Sequence, residues 1–541
     1  MINSLTAKQK LLLGTALIGA ASLGMTTAAL ADCLPNAGGL VVLCNTAGTA
    51  GYNGSAVNGL TINVLPNASV TGANLLSAAP LLSAGSSSVI NNEGSISVIG
   101  SPDGTSAISV GGGSTIANAS TATGAITGDI LFGAAGVGQT NTLNSFNSAF
   151  GITGNITSAG GAFFVNNSGT ITGDLGSVGD TTFVNSGTFT GNVSFGAGND
   201  TVTNSGTLTG NVDLGAGTNV FNANSGTNFP SGTLTADAAG LNTLNLGAGG
   251  GTIGAVTNFD VLNVNGTGGT FWLLNAPIAL SDRINLNSGF LEVSDASFLG
   301  TNTIVNEAGP VAVGGLYFDN TASGTFAGSI SGTGIVYVGF GGAGTTTFSG
   351  VNTYTGGTYI SGSTLQVLGG SALSDTGDVQ ISNGGILDVG ATETIGSLND
   401  GLVYGGTGSV TLSGGNLNIG SGAFSGVISG EGGLGKVTTG TLTLSGANTF
   451  TGDTIVSDGT LVLSGGAAIA DTANVIVNST STTSGTLQVD TAEVIGSLAG
   501  SGGSVVLNAG LDTGGNGATT SYAGVIPGDG ALTKSGTGTF T

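Results

Sequence analysis

Chemistry has few footholds in this sequence. No histidine occurs among its 541 residues. Neither a Ser-His-Asp nor a Cys-His nucleophile can be assembled, nor a His-ligated metal site. Carboxylates remain. Asp375 with Asp378, and Asp471 with Asp490, are pairs that glycoside hydrolysis could use, which needs two acids about 5–9.5 Å apart. Most acids here sit beside Gly, Asn or Thr, as turn carboxylates do, so no catalytic residue is expected. Gly196 to Val202 (G-A-G-N-D-T-V) is similar to one calcium-binding nonapeptide. That motif works only in tandem, and one unit later Gly215 to Val220 offers Thr218 and Asn219 but no Asp. No metal site is expected. Phosphate loops are absent too: no G-x-x-x-x-G-K-[ST] occurs, and isolated Gly-rich turns mean little with 106 glycines. No cofactor is expected.

The elements that would carry any site must be strands and turns. Only 6% of residues are charged, hydrophobic residues make up 39%, and Thr, Val, Ser and Gly dominate. Such a chain is too apolar for ordinary disorder, and with 8 prolines and no G-X-Y period it is not collagen. The net charge is −23. Without its first 31 residues the chain would keep Arg283, Lys436 and Lys534 against 28 acids, or −25. That argues against nucleic acid or anionic lipid as a partner, and for acids that keep a long apolar body soluble.

Residues 1–31 have the pattern of a secretory signal. Lys8 and Lys10 form a basic start, Leu11 to Leu23 an apolar core, and Ala29-Leu30-Ala31 a cleavage motif before Asp32. Cleavage is expected between Ala31 and Asp32, after export by the general secretory (Sec) pathway. No other run reaches the ~18 apolar residues of a membrane-crossing helix. Cys33 and Cys44 follow, the only two cysteines. In an exported chain they are expected to close a disulfide that staples the first coil of the fold.

Two families of repeats organise the remainder. N-S-G-T occurs at Asn167, Asn185, Asn204 and Asn224, at spacings of 18, 19 and 20. Apolar residues lie two before the Asn (Val165, Phe183, Val202) and four after it (Ile171, Phe189, Leu208). If each unit is one coil, the Asn side chains stack as a hydrogen-bonded ladder. Further on, F-A-G-S-I-S-G-T-G at Phe326, F-S-G-V-I-S-G-E-G at Phe424 and Y-A-G-V-I-P-G-D-G at Tyr522 recur at offsets of 98. I-G-S-L at Ile395 and Ile495, G-T-L-T-L-S-G at Gly440, and N-T-Y/F-T-G at Asn352 and Asn448 complete the unit.

These blocks resemble the autotransporter-associated β-strand repeat, also called the passenger-associated transport repeat, over about residues 321–541. The periods alone predict an all-β, parallel β-helix solenoid of ~18–20 residues per coil, about 25 coils in all, and the expected hand is right-handed. Expected parts are a leader (1–31), an N-terminal cap with the cysteine pair (32–54), short-period repeats (55–235), a less regular stretch (236–320) and the transport repeats (321–541). Thr541 falls inside a repeat, and the expectation is a fragment lacking a C-terminal barrel. The resemblance implies a surface-displayed passenger of type V secretion, structural or adhesin-like, whose last repeats aid export. Its implied partners are its own C-terminal β-barrel translocator, the outer-membrane assembly machinery, and a ligand on a host or neighbouring cell. The rivals are a polysaccharide-degrading enzyme on a β-helix and a secreted self-assembling matrix protein.

Overall fold

The computed structural model describes residues 33–35, 41–44, 47–48, 52–66, 68–72, 80–98, 106–119, 124–146, 149, 151–224, 229–309, 314–339, 341, 343–401 and 405–541. The leader and its cleavage site at Ala31 and Asp32 lie outside them. The fold is all-β, a parallel β-solenoid of about 21 turns. Among the described residues the helical content is one 3-10 turn, Ala296–Leu299, and no helix is long and apolar enough to cross a membrane. The chain divides into two compact units, Met1–Gly247 with Gly254–Asp260, and Ala248–Ile253 with Val261–Thr541.

Short strands follow from the sequence. Runs such as Thr61–Val64, Val89–Asn92 and Thr115–Asn118 alternate outward and buried residues over four positions, then meet a turn. None is stable alone, so each pairs with its copy one coil away. In the first unit, successive coils build three parallel faces. One inward column runs Ile62, Ile90, Ile116, Leu143, Val165, Phe183, Val202, Phe221, Leu244. A second runs Val70, Ile96, Ile126, Ile152, Ile171, Phe189, Leu208. The third face contributes Ile130, Ile156, Leu175, Val193, Val212 and Leu234. All these side chains are buried, each worth about 1.5–3 kcal/mol of hydrophobic stabilisation.

Coil length varies more than the N-S-G-T spacing implies. Steps of 18 and 19 residues hold from Val165 to Phe221. Earlier steps, from Ile62 to Ile90 to Ile116 to Leu143, are 28, 26 and 27. The extra residues fall between strands, where length can change without breaking pairing. That is why the chain makes about 21 turns and not 25.

The asparagine ladder forms at three of the four N-S-G-T positions. Asn167 Nδ2 donates to Asn185 Oδ1 at 2.8 Å, and Asn185 Nδ2 to Asn204 Oδ1 at 2.7 Å. Each donor amide also reaches the next turn, at Thr188 O and Thr207 O. Asn224 is displaced. The residue stacked on Asn204 is Ala223, because the last spacing is one residue longer, and Asn224 is exposed. A one-residue slip moves a side chain to the opposite face.

The same column extends backwards through Asn92, Asn118 and Ser145. Asn92 Nδ2 donates to Asn118 Oδ1 at 2.8 Å, but among the described residues Asn118 Nδ2 and the Ser145 hydroxyl have no partner. Ser145→Asn closes this gap between Asn118 and Asn167. Its expected effect is a gain of about 1 kcal/mol, read as a higher urea midpoint.

Candidate functional site

The transport repeats are held by side chains placed where strands give way to turns. Backbone groups there have no neighbouring strand to pair with and must find other partners. In the first repeat, Ile330 N donates to Asn352 Oδ1 at 2.7 Å, and Asn352 Nδ2 donates to Ala372 O at 2.7 Å. Ala372 N and Leu373 N donate to the two carboxylate oxygens of Glu393 at 3.0 and 3.3 Å. The second repeat copies the arrangement. Ile428 N meets Asn448 Oδ1 at 2.7 Å, Asn448 Nδ2 meets Ala468 O at 2.7 Å, and Ala468 N and Ile469 N meet Glu493 at 3.2 and 2.9 Å. All four side chains are buried. Each clamp therefore ties four successive coils, with one asparagine and one glutamate between them.

Burial raises the Glu393 carboxyl from its ordinary 4.5 to about 7, against the lowering effect of the Ala372, Leu373 and Thr394 N–H groups; Asp375 adds to the rise. Burial raises Glu493 as well, with Asp471 adding. Asp200, on the short-period repeats, is pushed up to about 6 by burial, opposed by bonds from Thr181 and helped by Asp180. A raised carboxyl holds its proton more tightly folded than unfolded. Its stabilising contribution is therefore complete below about pH 4.5 and is lost as pH rises through the folded value. The thermal midpoint is expected to fall between pH 4.5 and 7, at up to about 1.4 kcal/mol per pH unit for each carboxyl titrating there. Glu393→Gln should flatten that slope in a calorimetric pH series.

The residues singled out by sequence fall into several roles. Cys33 and Cys44 pair on adjacent antiparallel strands and are joined, Sγ to Sγ, at 2.09 Å. Asp200 does not face outward. Its Oδ1 accepts from Thr181 N at 2.7 Å, while its own N–H donates to Asn219 Oδ1 at 2.9 Å, so it belongs to an inward polar column. Asp378 is occupied by Gln380, Ser397 and Asn399, and Asp490 by Gln488 and Asn508. Asp375 and Asp471 lie near the clamp glutamates and help raise them. Among the described residues no group of three acid or cysteine side chains is placed to hold a metal ion.

The clamp glutamates were not singled out by sequence. The signal was there. Glu is used only six times in the chain, and two of those stand two residues before I-G-S-L.

Rings that bury one another form a second feature missed by sequence: Phe290 and Tyr337 are buried with Ile335, and Tyr317 and Tyr359 pack half-buried against them. Phe271 and Phe290 stack with centroids 4.4 Å apart, Tyr317 and Tyr337 at 4.5 Å, and Tyr337 and Tyr359 at 5.4 Å. Aromatic rows of this kind stabilise neighbouring strands.

Comparison with known proteins agrees with the repeats. The passenger-associated-transport-repeat family model matches residues 341–367 and 437–463. A curated relative, the adhesin BmaC autotransporter of Brucella suis biovar 1 (strain 1330), is 32% identical over 227 residues. That covers 38% of this chain, and the chain spans 6% of that relative's length. No solved structure matches significantly. The chain thus carries two passenger-associated transport repeats on a parallel β-solenoid and is similar over 227 residues to an autotransporter adhesin.

Proposed function

We propose that the chain is displayed on the cell surface by type V secretion and acts as a structural, adhesin-like passenger, with repeats 321–541 aiding export and folding. The observation that carries this is the paired clamp, Asn352 with Glu393 and Asn448 with Glu493, whose asparagines lie inside the two family-model matches. Each coil of these repeats offers groups that its neighbours complete. Folding can then advance coil by coil from local contacts as the chain emerges, which opposes its return. The reading includes export by the Sec pathway, cleavage between Ala31 and Asp32, and a Cys33–Cys44 staple on the first coil. It also includes a translocating β-barrel and outer-membrane assembly machinery as partners, and a ligand on a host or neighbouring cell. The passenger works by binding and not by turnover.

The test is surface display of the full gene with residues 321–541 deleted. Protease accessibility on intact cells should drop several-fold, with the chain retained inside. Unchanged display would remove the export role.

A further inference from the structure

The two transport repeats differ at one place on their outer face. In the first, Tyr317, Tyr337 and Tyr359 stack in register on three successive coils. In the second, the same register is held by Asn418, Gly435 and Ile455. The middle ring has been replaced by hydrogen, and the Asn418 amide leans over the place its Cβ would take, with Oδ1 2.2 Å away. A groove of about 320 Å³ lies there, its walls including Asn416, Asn418, Gly433, Gly435, Asp453 and Ile455. Ligand sites start at about 300 Å³.

The lining is amphipathic. Ile455, 38% exposed, supplies the aliphatic part of the lining, beside the buried backbone of Gly433 and Gly435. Asn416 Oδ1 is held by Gly433 N at 2.7 Å and Asp453 Oδ1 by Asn474 Nδ2 at 2.9 Å. These bonds fix both side chains. Asn416 Nδ2 and Asp453 Oδ2 make no hydrogen bond to the described residues, so a donor and a charged acceptor are left at the groove.

We infer that this groove is a binding site for a neutral saccharide, one pyranose ring lying on Ile455 beside Gly433 and Gly435, with its hydroxyls bridging Asn416 and Asp453. A pyranose has an aliphatic C–H face and an edge of vicinal hydroxyls, which match Ile455 and the polar wall. The Asp453 carboxylate, in a chain of net charge −23, rejects sulfated, phosphorylated or sialylated sugars. The inference deepens the adhesin reading and rests on it for its biological setting.

The test is saturation-transfer NMR on the purified full chain. The probes are methyl β-D-galactopyranoside, methyl α-D-mannopyranoside and N-acetyl-D-glucosamine, with N-acetylneuraminic acid and glucose 6-phosphate as anionic controls. At least one neutral sugar should bind with millimolar affinity and neither anion should. Gly435→Tyr restores the ring of the preceding repeat. A Cβ there meets Asn418 Oδ1 at 2.2 Å and Val437 Cγ1 at 3.5 Å, so the Asn418 side chain must turn aside and give up its 3.3 Å bond to Thr394 Oγ1. The variant should abolish binding with the thermal midpoint unchanged; if the midpoint falls, Ile455→Tyr, copying Tyr359, fills the groove instead. Asp453→Asn should weaken binding about tenfold. Absence of neutral-sugar binding, or binding that survives a filled groove, overturns the inference. Adhesion of cells displaying the chain is assayed in parallel. Sugar binding without adhesion supports the groove and removes the adhesin reading; adhesion without sugar binding does the reverse.

Discussion

Replacing Asn448 by Ala should cost about 2–6 kcal/mol and open the second transport repeat. Its amide satisfies Ile428 N on one coil and Ala468 O two coils later, both at 2.7 Å. Truncation leaves one backbone donor and one acceptor buried without partners, at about 1–3 kcal/mol each. No water can take over cheaply, because Asn448 is only 5% exposed. Hydrogen exchange should rise most in peptides holding Ile428 and Ala468, while those around Phe183 stay protected. Neighbour terms dominate solenoid stability, so the damage should spread to adjacent coils before it fades. Asn448→Ala with Glu493→Ala should cost less than the sum of the two singles, since Ala468 is shared. Uniform exchange across the chain, or a midpoint shift below about 0.5 kcal/mol, would falsify the clamp.

Gly191→Ala should be at least as damaging in the short-period repeats. The T-G-N and T-G-D turns place Gly154, Gly173, Gly191 and Gly210 at φ of 146°, 140°, 151° and 130°. The next residue of each turn reaches forward along the stack: Asp174 Oδ1 accepts from Asn192 N at 2.7 Å, and Asn192 Oδ1 from Asn211 N at 3.1 Å. A Cβ on Gly191 would stand 2.1 Å from Gly173 O, a backbone atom that cannot move without breaking its own coil. Strain at such a φ costs about 1–3 kcal/mol and the overlap a similar amount, so a loss of roughly 2–6 kcal/mol is expected. Gly138, with open space around its Cβ position, is the control at φ 75°. Gly138→Ala should show the conformational cost alone. Equal urea midpoints for the two variants would contradict the stacking geometry.

Much of this architecture could be read without coordinates, and particular residues show why. Val165, Phe183 and Val202 recur at one place in a repeating unit, and stacked coils bring that place into one buried column. Spacing reveals stacking wherever units have equal length. It fails where they do not: one extra residue moved Asn224 out of the ladder. Longer connections before Leu143 hid the larger coils. The clamp glutamates escaped for a different reason. In a chain rich in Gly, Asn and Thr, an acid beside Thr looks like a turn residue. Whether Glu393 points at solvent or at Ala372 N depends on how the coil below is offset, which no single unit reveals. The groove at Gly435 needed both repeats in register, because it is defined by a side chain that one has and the other lacks.

The hydrogen bonds that join each coil to the next also set how this protein gives way under load. Pulled from one end, a terminal coil can detach while those beyond it stay paired. A coil such as Leu442 to Leu461, 19 residues, then releases roughly 65 Å of slack, at about 3.3–3.6 Å per residue. Held at one end, the chain would lengthen in small increments under load, each coil taking up part of a pull before the next one gives.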